Sequence, residues 1–103
     1  MLTRPEAREQ LQIDFESAAA WRRRKAIRSP NDNCNAEAAR LLDRLAVGVK
    51  DIDDATMDAY SSLYEEISDS EFHSELLREV GFHWWPESAG EFVQRFISEQ
   101  SGG

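Results

Sequence analysis

Helix-start signals recur along this chain and leave little room for any fold other than a helical one. In a capping box, Ser or Thr precedes Glu by three residues, and each side chain accepts a backbone N–H of the other at the first helical turn. Three such pairs stand at expected helix starts: Thr3 with Glu6, Ser68 with Glu71, and Ser88 with Glu91. No stretch alternates apolar and polar residues for long enough to build a sheet. We therefore predict an all-α protein, a small bundle of about five short helices with no sheet.

Turn-forming residues set the predicted boundaries. The helices are expected from Thr3 to about Ile27, from near Asn35 to Gly48, from Asp51 or Asp53 through Ile67, from Ser68 to a stop at Gly81, and from Ser88 onward. Ser29-Pro30 and the asparagines that follow disfavour continuation of the first helix, and glycine commonly ends a helix. We expect residues 1–100 to form a single helical domain and residues 101–103 a flexible tail.

Apolar residues at helical spacing identify the expected core. Such residues lie on one face of each helix because 3.6 residues complete a turn. The predicted core residues are Leu11, Phe15, Leu41, Leu42, Leu45, Leu63, Ile67, Phe72, Leu76, Phe92 and Phe96. This core is modest, since Leu, Ile, Val and Phe make up 22 of the 103 residues, just above the level typical of disordered chains.

Charge is divided unevenly along the sequence. Residues 1–50 carry a net charge of +3 and residues 51–103 a net charge of −11, which together give −8. Like charges at this density destabilise a compact state unless something offsets them. We therefore expect the basic end of the first helix, with Arg24 and Arg28, to lie close to the acidic second half.

The first helix is apolar on two sides. Leu11 and Phe15 share one face, whereas Ile13, Ala20 and Ile27 share the opposite one. Such a helix is either sandwiched inside the bundle or offers its second side to another chain.

A basic patch and an aromatic connector are the other candidate sites. Trp21, Arg24, Lys25 and Arg28 fall in one sector of the first helix and could contact phosphate or an acidic partner. The same cations also complement the helix dipole. His83, Trp84 and Trp85 lie between the last two helices, where one Trp is expected to pack on the core and an exposed Trp would resemble an interaction hot spot.

Little in the sequence supports catalysis. His73 and His83 lack a partner at metal-ligand spacing, and no nucleophile elbow or glycine-rich phosphate loop is present. Glu71, Glu75 and Glu79 form a ladder typical of a solvated face. The one cysteine, Cys34, excludes an internal disulfide and is expected to pack beside the leucines of the second helix. We expect no catalytic residue, metal or cofactor.

These observations favour a non-enzymatic protein–protein interaction or regulatory module in the cytoplasm. The expected partner is another protein chain, with a second copy of this chain as one candidate, and no membrane association is expected. A nucleic-acid-associated protein that uses the patch from Trp21 to Arg28 is an alternative, but the overall charge of −8 opposes phosphate binding. In a second alternative, the acidic half mimics a nucleic acid.

Overall fold

The computed structural model describes residues 3–29, 33–67 and 71–101. The α-helices in this part are α1 (Arg4–Arg28), α2 (Asn33–Gly48), α3 (Asp54–Ile67), α4 (Glu71–Glu79) and α5 (Ala89–Ser101). A 3-10 turn (Val49–Asp51) joins α2 to α3. Within the described ranges there is no strand or sheet, only an isolated bridge between Val80 and Trp84. The predicted all-α bundle of five helices is confirmed.

The helix starts follow local side-chain chemistry. Thr3 Oγ1 accepts the Glu6 N–H at 3.3 Å and the Glu6 carboxylate accepts the Thr3 N–H at 3.1 Å, which is the predicted capping box. At α5, Ser88 Oγ accepts the Glu91 N–H at 3.2 Å, but the Glu91 carboxylate accepts the Glu87 N–H at 2.9 Å instead of the Ser88 N–H. Residues 68–70 lie outside the described part, so the box expected at Ser68 does too.

The two predicted glycine stops behave differently. Gly81, just after α4, has a φ of +85°, the left-handed conformation that favours glycine. Gly48 ends α2 with a φ of −75°, and the chain continues directly into the 3-10 turn. Gly48 therefore does not act as a left-handed cap. At the other end of the chain, α5 includes Ser101, the first residue of the expected tail.

The core forms where all five helices meet. Most predicted core residues are buried: Leu11, Phe15, Leu41, Leu42, Leu45, Leu76, Phe92 and Phe96. Leu63 is only partly buried against them, and the side chains of Ile67 and Phe72 lie outside the described part. The rings of Phe15 and Phe92 pack edge to face with their centroids 4.9 Å apart, which joins α1 to α5.

Helix α1 determines the shape of the molecule. Its 25 residues extend about 37 Å at 1.5 Å per residue, close to the longest dimension of the protein, 41 Å. The buried positions of α1 are Ala7, Leu11, Phe15, Ala19 and Arg22, all on one side. Because the described helices pack on that side, the opposite side of α1 faces solvent.

Candidate functional site

The side of α1 that carries Ile13, Ala20 and Ile27, here called the outer face, is open to solvent. Ile13 is 46% exposed and Ile27 is 80% exposed, whereas Ala20 is half-buried. In the described part of the chain, α1 is therefore not sandwiched between other helices. Ile13 and Ile27 lie on the same side of α1, about 21 Å apart along the helix, with Ala20 between them.

The charged side chains that border the outer face change sign along α1. Glu9 and Glu16 are exposed in its first half, and Arg23 and Arg24 are exposed in its second half. Arg23 pairs with Asp43 of α2. The outer face is thus acidic toward the N-terminus of α1 and basic toward its C-terminus.

The predicted basic patch lies on the flank of the outer face. Trp21 is 41% exposed, Arg24 and Arg28 are exposed, and Lys25 is half-buried with its Nζ 5.3 Å from the Trp21 ring centroid. Neither Arg24 nor Arg28 forms an ion pair with any residue of the described ranges. Several acidic side chains of the second half, including Glu65, Glu66 and Glu71, lie outside the described part, so the expectation that Arg24 and Arg28 lie close to that half stays a prediction.

Ion pairs between the two halves of the chain occur at the other end of α1. Arg4 Nε lies 2.8 Å from Asp58 Oδ1, and Arg8 lies 3.1 Å from Asp54 Oδ1. Arg8 also donates to the carbonyls of Val49 at 2.8 Å and Ile52 at 2.6 Å. The hydrogen bond from Arg4 lowers the pKa of Asp58 below its ordinary value. Basic side chains near the N-terminus of α1 thus fasten it to the turn and α3.

Arg22 was not anticipated as a special residue, and the structure buries it. Its side chain is 6% exposed, and it donates to the carbonyl of Arg78 near the end of α4. The guanidinium carbon lies 3.9 Å from the Phe82 ring centroid and 4.7 Å from that of Trp21. The sequence could have predicted this burial, because Arg22 follows Phe15 by seven residues and that spacing places it on the core face of α1.

The aromatic connector (residues 82–86) is tightly hydrogen-bonded. The Glu79 carbonyl accepts the N–H groups of Phe82, His83 and Trp84 at 2.9 to 3.2 Å. Trp84 is half-buried and stacks on Phe92, with centroids 5.6 Å apart and an interplanar angle of 17°. Trp84 therefore secures α5 to the connector.

Trp85 and His83 are the exposed members of the connector. The Trp85 side chain is 51% exposed, and His83 is also exposed. A groove of about 340 Å³ runs between α1 and the connector and is lined by Trp21, Arg22, Phe82 and His83, among others. The structure thus brings Trp21 of the basic patch and His83 of the connector to one groove, which the sequence did not indicate.

A second groove continues along α1 toward its middle. It measures about 350 Å³ and is lined by Asp14, Trp21, Arg22, Leu77 and Arg78, together with small side chains of α1. Asp14 accepts a hydrogen bond from Gln10 at 3.0 Å, and burial raises the pKa of Asp14 above its ordinary value.

The other chemical candidates give no site within the described residues. Cys34 is exposed, so the expectation that it packs beside the leucines of α2 is wrong. In the described part, no group of three or more His, Cys, Asp or Glu residues is arranged to hold a metal ion. The side chains of His73 and Glu71 lie outside that part.

Two further findings concern the chain as a whole. None of the helices in the described part is both long enough and apolar enough to cross a membrane. Comparisons with protein-family models, curated proteins and solved structures find no match to this chain. Its function must therefore be inferred from its own surfaces.

Proposed function

We propose that this protein is a non-enzymatic protein–protein interaction module that binds its partner through the outer face of α1. The observation that carries this proposal is the exposure of Ile13 and Ile27 on one face of a long helix. Single exposed apolar residues are ordinary, but apolar residues aligned on one surface are typical of interaction sites. A helix held by core contacts along its other side also presents these residues with little loss of conformational entropy on binding.

The connector supplies a second, smaller contact. Trp85 is half-exposed beside a backbone that is fixed by hydrogen bonds, and Trp is enriched at binding hot spots. Trp84 does not belong to this contact, because its ring is committed to Phe92. The connector candidates are thus reduced to Trp85 and its neighbour His83.

The nucleic-acid alternative receives less support. Arg22 is buried and Arg23 pairs with Asp43, so Arg24, Lys25 and Arg28 are the basic side chains left in this segment to contact phosphate. Nucleic-acid binding draws most of its affinity from phosphate contacts, and the net charge of −8 opposes them. The alternative in which the acidic half mimics a nucleic acid is also weakened. Asp54 and Asp58 pair with arginines of α1, so their carboxylates are not available to imitate phosphates.

The proposal is tested by capture from the native host with a tagged chain and matched variants. Ile13→Glu/Ile27→Glu removes the apolar contacts of the outer face, and Val47→Glu is the control because Val47 is 66% exposed on α2. We expect a protein partner that is retained by the wild type and by Val47→Glu, is lost with the double variant, and binds again when both purified components are mixed. Equal retention by the double variant, or retention that nuclease treatment abolishes, would refute the proposal.

A further inference from the structure

We infer that the occupant of the outer face is a second copy of this chain, with the two α1 helices antiparallel and crossing at Ala20. This inference rests on the proposed function and names its partner. It follows from the order in which apolar and charged residues lie along the face.

Two-fold symmetry makes the apolar residues match. In a symmetric dimer the same patch meets itself, so an antiparallel crossing at Ala20 places position 13 opposite position 27 of the second copy. Ile13 of each chain then meets Ile27 of the other, which forms two identical apolar contacts on either side of the axis. The small side chain of Ala20 lies on the axis and lets the helix backbones approach closely.

The charges specify the antiparallel direction. In this register Glu16 of one chain lies opposite Arg24 of the other, again twice by symmetry. Both side chains are exposed, and no ion pair within the described residues engages either of them. A parallel arrangement would place Glu16 beside Glu16 and Arg24 beside Arg24, and like-charge contacts are unfavourable. The acidic-to-basic order along the face therefore complements itself in one direction only.

The extent of the face predicts a modest affinity. Ile13 and Ile27 are about 21 Å apart, so the contact spans four helical turns and offers two isoleucines from each chain. Stable protein interfaces generally bury more area than one pair of helix faces provides. The dimer is therefore expected to form in the micromolar-to-millimolar concentration range.

Sedimentation equilibrium over that range tests self-association directly. The wild type and Val47→Glu are expected to dimerise, and Ile27→Glu is expected to weaken the dimer roughly a hundredfold, because it would bury a charge at the contact. Far-UV circular dichroism and melting of each variant establish that the fold is intact. A wild-type chain that is monomeric at millimolar concentration overturns the inference. The capture experiment above remains a separate test, because a different protein bound through the outer face would support the proposed function and overturn the second copy as its partner.

A charge swap tests the register. Glu16→Arg and Arg24→Glu should each weaken the dimer roughly tenfold, because each places like charges opposite one another twice. The double variant Glu16→Arg/Arg24→Glu restores opposite charges and should recover wild-type affinity. Glu37→Arg and Arg44→Glu, on exposed positions of α2, are the matched controls and should leave affinity unchanged. A double variant as weak as the single ones would overturn the antiparallel register.

Discussion

Gly81 is the position where a single methyl group should do the most damage to the fold. It follows α4, has a φ of +85°, and donates its N–H to the Trp84 carbonyl at 2.8 Å. A Cβ added there would lie 2.7 Å from Ala38 Cα on α2, closer than carbon atoms approach without displacement. Gly81→Ala therefore strains the backbone and collides with a helix that cannot move aside by rotating a side chain.

The expected cost follows from these two effects. Holding an L-residue in the left-handed conformation costs about 1–2 kcal/mol, and inserting a methyl group into a packed region costs about 1–3 kcal/mol. Together they lower the free energy of unfolding by about 2–5 kcal/mol, a large share of the roughly 5–15 kcal/mol typical of a domain. For a domain near 100 residues this lowers the melting temperature by roughly 10–30 °C.

Urea unfolding followed by far-UV circular dichroism measures this loss. The matched control is Gly90→Ala in α5, because a Cβ there meets only Ser88 Oγ at an ordinary 3.7 Å. Alanine favours a helix over glycine by up to about 1 kcal/mol, so the control should be neutral or stabilising. If Gly81→Ala proved as stable as Gly90→Ala, the left-handed turn and its contact with Ala38 would be wrong.

Further predictions concern Arg22, Asp14 and Thr3. Arg22→Met should destabilise the protein by about 1–3 kcal/mol in urea unfolding, because it removes a charged hydrogen-bond donor and its ring contacts, and Arg22→Lys should recover only part of that loss. Burial raises the pKa of Asp14, so its contribution to stability is present below the ordinary aspartate pKa and is lost as pH rises through the raised value. Asp14→Asn should therefore help stability more at neutral than at acidic pH. Thr3→Ala should cost about 1 kcal/mol in thermal unfolding through loss of the N-cap.

Local chemistry explains why the helices were predictable from sequence. A capping box acts within four residues, so the start of α1 at Thr3 needs no tertiary information. The period of 3.6 residues likewise places Leu41, Leu42 and Leu45 on one face of α2 whatever packs against it. The two apolar sides of α1 were visible for the same reason. Which of them would be covered depends on the whole bundle.

The misjudged residues are those whose surroundings come from distant parts of the chain. Arg22 lies within a basic run, and its burial depends on Phe82 and on the Arg78 carbonyl, both more than 50 residues away. Cys34 lies on the line of the leucine stripe of α2, but it is exposed, although the next residue, Asn35, is buried. Sequence spacing assigns each residue to a face of its helix. It does not show which positions on that face the neighbouring helices cover.

Some charged residues of α1 pair with other helices of the chain, and others remain exposed on its outer face. Arg4 and Arg8 lie on the side of α1 that faces α3, away from Ile13, Ala20 and Ile27 by helical spacing, and pair with Asp58 and Asp54. Glu16 is left exposed in that half, whereas no acidic side chain of the described part engages Arg24 in the other half. The acidic-to-basic order of the outer face therefore follows from the helical positions of Glu16 and Arg24, while the arginines near the N-terminus of α1 contact α3 instead. Arg4→Gln should accordingly weaken the attachment of α1 to α3 while leaving self-association through Glu16 and Arg24 intact.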